Sequence, residues 1–132
     1  MTLGTLTLMS SGEMSARLSP AHRAVLARLT EPLRAIFLDT PAGFQENASE
    51  LADKAVGYFK QNLQQELNVV SFKARRFATP DQVQAVADQI LAANYVFSGP
   101  GCQTYAVRNW INWPIHDAFR TTLADGRNLV LV

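Results

Sequence analysis

The sequence predicts an α/β three-layer sandwich on a five-stranded, mostly parallel sheet. Three observations predict it. Short apolar or β-branched runs recur along the chain, amphipathic stretches lie between them, and helix-start residues open those stretches. Strand–helix–strand alternation needs crossovers, and right-handed crossovers place helices on both faces of a parallel sheet. The 132 residues, 48% of them hydrophobic, suffice for one core, so residues 1–132 are expected to form a single domain.

The expected strands are Leu3 to Met9, Arg34 to Leu38, Asn68 to Phe72, Tyr95 to Ser98 and Asn128 to Val132. The expected helices follow Ser19-Pro20, Asn47 and Thr79-Pro80, with Asn47 and Glu50 at capping-box spacing. The longest keeps Ala48, Leu51, Ala52, Ala55, Val56, Phe59, Leu63 and Leu67 on one side at three- and four-residue spacing. Another helix follows the SGPG turn, and a last one starts near Pro114 and stops before Gly126. Only a short break separates Trp110 from Pro114. The region around Tyr105, Trp110, Ile111 and Trp113 reads first as packing and second as a subunit contact.

Twelve basic and eleven acidic residues give a formal net charge of +1, without the basic patch that nucleic acid or an anionic membrane requires. No nucleic-acid or membrane partner is expected. One cysteine makes no internal disulfide, no secretory leader is evident, and the cytoplasm is the expected compartment. Two distant histidines and one cysteine make no metal-ligand pattern, so neither metal nor cofactor is expected.

Ligands of open α/β sheets gather beyond the strands' carboxyl ends, where the winding reverses. A Rossmann-like order of 3-2-1-4-5 makes the first and fourth strands neighbours there. Their exits are SSGEM, Ser10 to Met14, and SGPGCQT, Ser98 to Thr104. Gly12, Glu13, Gly99, Gly101, Gln103 and Thr104 are then candidates to hold a small anionic or peptide-like ligand, with free amides at the start of the following helix. Arg108 could bind a carboxylate bidentately. Lys73, Arg75 and Arg76 follow the third strand on the same edge but read first as a solvated loop. Asp39 reads as a loop-orienting group, His116 as a surface or capping residue, and His22 as solvated.

The segments SGEM, FLDTPAGFQENASELADKA and VFSGPGCQTYAVRNW together resemble the cyanophycinase and aspartyl-dipeptidase family of serine peptidases, with a class I glutamine amidotransferase-like fold. The resemblance covers essentially the whole chain. It implies that Gly99 to Gly101 form a loop beside the active site that helps hold the substrate carbonyl oxygen. It also implies a nucleophilic serine on a sharp turn directly after the fifth strand. The sequence stops within that strand, so the expectation is the N-terminal part of a larger hydrolase-like domain, inactive by itself. The apolar LVLV strand is expected to be an open edge, covered by a second copy in a homodimer or by a missing C-terminal half.

Two alternatives accompany this reading. One is a complete, non-catalytic α/β binding or interaction module. The other is a DJ-1-like thiol enzyme, in which Cys102 at a helix N-terminus is the nucleophile, Glu13 its neighbour and His116 a base. An inert, half-buried Cys102 is the preferred reading of that residue.

Overall fold

The computed structural model describes residues 3–9 and 12–131. Ser10 and Ser11 of the SSGEM exit, and Val132 of the last strand, lie outside the described residues. The five expected strands form as β1 (Thr5–Leu8), β2 (Ala35–Leu38), β3 (Leu67–Val70), β4 (Tyr95–Ser98) and β5 (Asn128–Leu131). The helices are α1 (Ser19–Leu26), α2 (Ala48–Asn62), α3 (Pro80–Ala92), α4 (Gln103–Trp110) and α5 (Pro114–Ala124). No described helix is long and apolar enough to cross a membrane.

The sheet is parallel throughout, in the order β1-β5-β4-β2-β3. This corrects the expected 3-2-1-4-5. Strands β1 and β4 are not neighbours, because β5 pairs with both: Leu8 aligns with Leu131, which aligns in turn with Ser98. The expected open edge is corrected as well. β5 is interior, and the free edges belong to β1 and β3.

Burial explains the order. Every residue of β2 (AIFL) and of β4 (YVFS) is buried, as centre strands covered on both faces must be. Strand β1 alternates partly buried threonines with exposed Leu6 and Leu8, a pattern an edge tolerates. On one face Ile36, Leu38 and Val96 pack against α3, α4 and α5 through Val86, Ile90, Trp110, Ile115 and Phe119. On the other, Phe37, Tyr95, Phe97 and Val130 pack against α1 and α2 through Val25, Ala55 and Phe59.

Three helix boundaries differ from expectation. Asn47 precedes α2 without a side-chain cap. The reciprocal box forms instead at α3, where Thr79 Oγ1 accepts from the Gln82 amide at 3.2 Å and Gln82 Oε1 accepts from the Thr79 amide at 2.9 Å. Helix α2 ends at Asn62, since Gln64 turns left-handed (φ 52°) and the Gln65 amide reaches back to the Phe59 carbonyl, which leaves Leu67 to open β3. Ser19 does not cap α1; its hydroxyl meets that of Tyr58 at 2.8 Å. The stop after α5 follows expectation, with Gly126 at φ 82° and the Arg127 amide bonded to the Thr122 carbonyl at 3.0 Å.

Candidate functional site

From β2 the chain winds outward to β3, then crosses back over β2 to β4, so the winding reverses between β2 and β4. Their exits, Asp39–Gly43 and Gly99–Cys102, meet there backbone to backbone. The Cys102 amide donates to the Pro41 carbonyl at 2.9 Å. Gly101 has φ 150°, and a Cβ on it would lie 2.1 Å from the Pro41 oxygen. A Cβ on Gly99 would lie 2.2 Å from Cε1 of Phe37. The two glycines bracket Pro100 because the loop must settle on the β2 exit with no side chain between.

Asp39 fixes the second wall. Its Oδ1 accepts from the buried Phe72 amide at 2.7 Å and its Oδ2 from the Ser71 hydroxyl at 2.7 Å. Thr40 Oγ1 donates to the Phe72 carbonyl at 2.5 Å. The β2 and β3 exits thus form one hydrogen-bonded unit, the loop-orienting role expected of Asp39.

Gly99, Gly101, Cys102, Gln103 and Thr104 remain contiguous at the β4 exit. Among the described residues, the Gly101, Gln103 and Thr104 amides donate no hydrogen bond, whereas that of Cys102 is occupied by Pro41. Cys102 is half-buried at the N-cap of α4, and its thiol makes no capping bond. Gly12 and Glu13 follow β1, which β5 separates from β4, and the Glu13 carbonyl is linked to Tyr95 of β4 through His22. His116 Nδ1 accepts from the Asn112 amide at 3.4 Å in the first turn of α5, the capping role expected of it. Cys102, Glu13 and His116 therefore occupy three separate elements, and no hydrogen bond or ion pair joins them among the described residues.

His22 is not solvated. It is completely buried, and the reason is polar as much as apolar. Its Nε2 lies 2.8 Å from the Glu13 carbonyl, which can only accept, so Nε2 carries the proton. Nδ1 is then the acceptor for the Tyr95 hydroxyl at 2.7 Å. Burial lowers the imidazole's pKa below 6.5, outweighing the Glu13 carbonyl and carboxylate, which act in the opposite direction. Burial, with Tyr58 nearby, raises that of Tyr95.

The basic residues divide. Arg75 is structural: its guanidinium lies 4.1 Å from the Trp113 ring centre and donates to the Ile111 carbonyl, while its amide donates to Asn109 Oδ1 at 2.7 Å. Lys73 contributes its carbonyl, which accepts from the Tyr105 hydroxyl at 2.6 Å. Arg76 stacks 4.6 Å over Phe77. Arg108, exposed on α4, has no hydrogen-bond or ion-pair partner among the described residues. Trp110 packs edge-on against Phe119 with ring centres 5.0 Å apart.

No protein-family model and no curated protein sequence matches the chain. Its backbone superposes on the crystal structure of a peptidase from an acI-B1 Actinobacterium with a TM-score of 0.80. Identity is 20%, over 98% of this chain and 53% of the peptidase, so the chain spans about half of that protein's length. The likeness establishes a peptidase-like, Rossmann-type α/β fold.

Sequence reasoning missed the buried His22–Tyr95 pair and the apolar side chains of Phe44 and Phe77. A histidine three residues after Ser19, on the side of α1 that also carries Val25, was the available signal for the first.

Proposed function

We propose that this chain is the strand-one-to-strand-five portion of a cyanophycinase-like or dipeptidase-like serine hydrolase domain. Gly99 to Gly101 provide the oxyanion-side loop, and the nucleophile position lies at the carboxyl end of β5. The 132 residues alone do not hydrolyse peptides in this reading.

One observation carries it. β5 runs between β1 and β4, so whatever follows Leu131 emerges between the exits of those two strands, beside Met9 on one side and the Ser98–Gly99 turn on the other. In this reading the Gly101, Gln103 and Thr104 amides at the start of α4, which donate no hydrogen bond among the described residues, are the donors available to the charge that develops at a serine there. The similarity in fold to a solved peptidase supports the same reading. The rest of such a domain, or a second copy of this chain, covers the β1 edge, where Leu6 and Leu8 are exposed.

The test compares hydrolysis of aspartyl dipeptides by the 132-residue chain and by the product of the complete reading frame. The reading expects activity only in the second. Activity in the 132-residue chain, or none in either, overturns it.

A further inference from the structure

Beside the packed β2–β4 junction lies an open cleft of about 640 Å³. Its lining comes from three strand exits: Gly43 and Phe44 after β2, Ala74 to Phe77 after β3, and Tyr105, Arg108 and Asn109 on the helix after β4. It therefore occupies the carboxyl-edge position where open α/β sheets take ligands, on the other side of β4 from the β5 exit.

Two features of this cleft are only lightly used by the fold, Arg76 stacking on Phe77 and Phe44 on Tyr105. Arg76 and Arg108 carry no ion pair or hydrogen bond on their guanidinium groups among the described residues, and no carboxylate lines the cleft. Phe77 is 75% exposed and Phe44 56% exposed, although each is large and apolar. Phe44 meets Tyr105 edge to face with ring centres 4.9 Å apart, and Arg108 follows Tyr105 by three residues, hence on the same side of α4. The walls are fixed in advance: Tyr105 is tied to the Lys73 carbonyl, Asn109 to the Arg75 amide, and Arg75 to Ile111 and Trp113.

We propose that this cleft binds a small aryl anion, a flat ring joined to a carboxylate or a phosphate. Arg76 and Arg108 take the anionic group, since a guanidinium fork matches either oxyanion. The ring lies against Phe44 and Phe77. This site shares the β4 exit and α4 with the peptidase reading but involves neither β5 nor a nucleophile, so ligand binding and hydrolysis test the two separately.

The test is isothermal titration of the full chain with two matched pairs of probes. N-acetylphenylalanine against N-acetylphenylalaninamide reports a carboxylate, and adenosine 5′-monophosphate against adenosine reports a phosphate. At least one anionic probe should saturate and bind about tenfold or more tighter than its neutral partner, as expected when charge-assisted hydrogen bonds are made. Which pair does so distinguishes the two oxyanions. Arg76→Gln with Arg108→Gln should abolish that preference, while Arg120→Gln, exposed on α5 and outside the cleft, should leave it intact. Because Arg108 has no partner among the described residues and Arg76 only stacks on the exposed Phe77 ring, thermal unfolding should change little as the preference is lost. Equal affinity for charged and neutral probes, no saturable binding, or an undiminished preference in the double variant overturns the proposal.

Discussion

His22 Nδ1 and the Tyr95 hydroxyl share a 2.7 Å hydrogen bond in which the tyrosine donates, and neither residue has measurable solvent exposure. The rings of Phe59 and Phe97 enclose the imidazole edge-on. On its other side Nε2 donates to the Glu13 carbonyl, so one neutral imidazole fastens the turn after β1 to the centre strand β4. An imidazolium has two donors, and Tyr95 would have to give up its role as donor to accept the second.

Acid should therefore weaken the fold through this residue. The native pKa lies below the unfolded value of 6.5, so the unfolded chain takes up a proton that the native chain refuses. The contribution of His22 is intact above that value and is lost as pH falls beneath it, by at most about 1.4 kcal/mol per pH unit. Urea unfolding from about pH 7.5 to about pH 5 measures it. The His22→Phe, Tyr95→Phe double variant, which replaces both partners by apolar groups, should show a shallower dependence over that window. Tyr95 acts at the other end: its raised pKa means that stability falls above pH 10 as the unfolded tyrosine ionises.

The glycines at the β4 exit should tolerate no side chain. Gly101→Ala places a methyl 2.1 Å from a backbone oxygen, and Gly99→Ala places one 2.2 Å from a buried ring. Each should cost about 2 kcal/mol or more in unfolding free energy, the range of overpacking and backbone strain. Gly57, inside α2 with nothing within 4 Å of its Cβ position, is the control. Gly57→Ala should stabilise by about 0.5–1 kcal/mol.

Asp39→Ala should destabilise by about 1–3 kcal/mol, because the Phe72 amide is left buried without its acceptor. Amide hydrogen exchange at Phe72 should accelerate in the variant, and unchanged exchange would count against the locked β2–β3 unit.

Thr79→Ala should cost about 1 kcal/mol, whereas Asn47→Ala should be nearly neutral. Thermal unfolding of the two variants separates a formed capping box from sequence spacing alone.

The presence of all five strands was legible because AIFL, YVFS and their counterparts are short, apolar and bounded by turn residues. Their order was less so. The alternation in TLTL marks a strand with one face uncovered, which in a parallel sheet means an edge, and weighting it would have moved β1 outward. Leu67 reads as part of α2 because helical spacing continues through it, while the left-handed residue that ends the helix is Gln64, not the glycine or asparagine that would announce a stop. At the candidate site, the two glycines were visible but their use was not. A loop needing small residues for close packing and one needing them for anion contact have the same sequence, and only the approach of Pro41 separates the two. The Phe44 and Phe77 side chains were hidden for a different reason: loop residues carry no periodicity from which exposure can be read.

The reading that the carboxyl end of β5 is a nucleophile position is tested most directly by labelling with a fluorophosphonate probe, followed by mapping of the modified residue. The product of the complete reading frame should be modified at a serine in the turn that directly follows β5, and the 132-residue chain should remain unmodified. A label on the 132-residue chain itself, a label at a distant serine, or a stop codon directly after Val132 would contradict it.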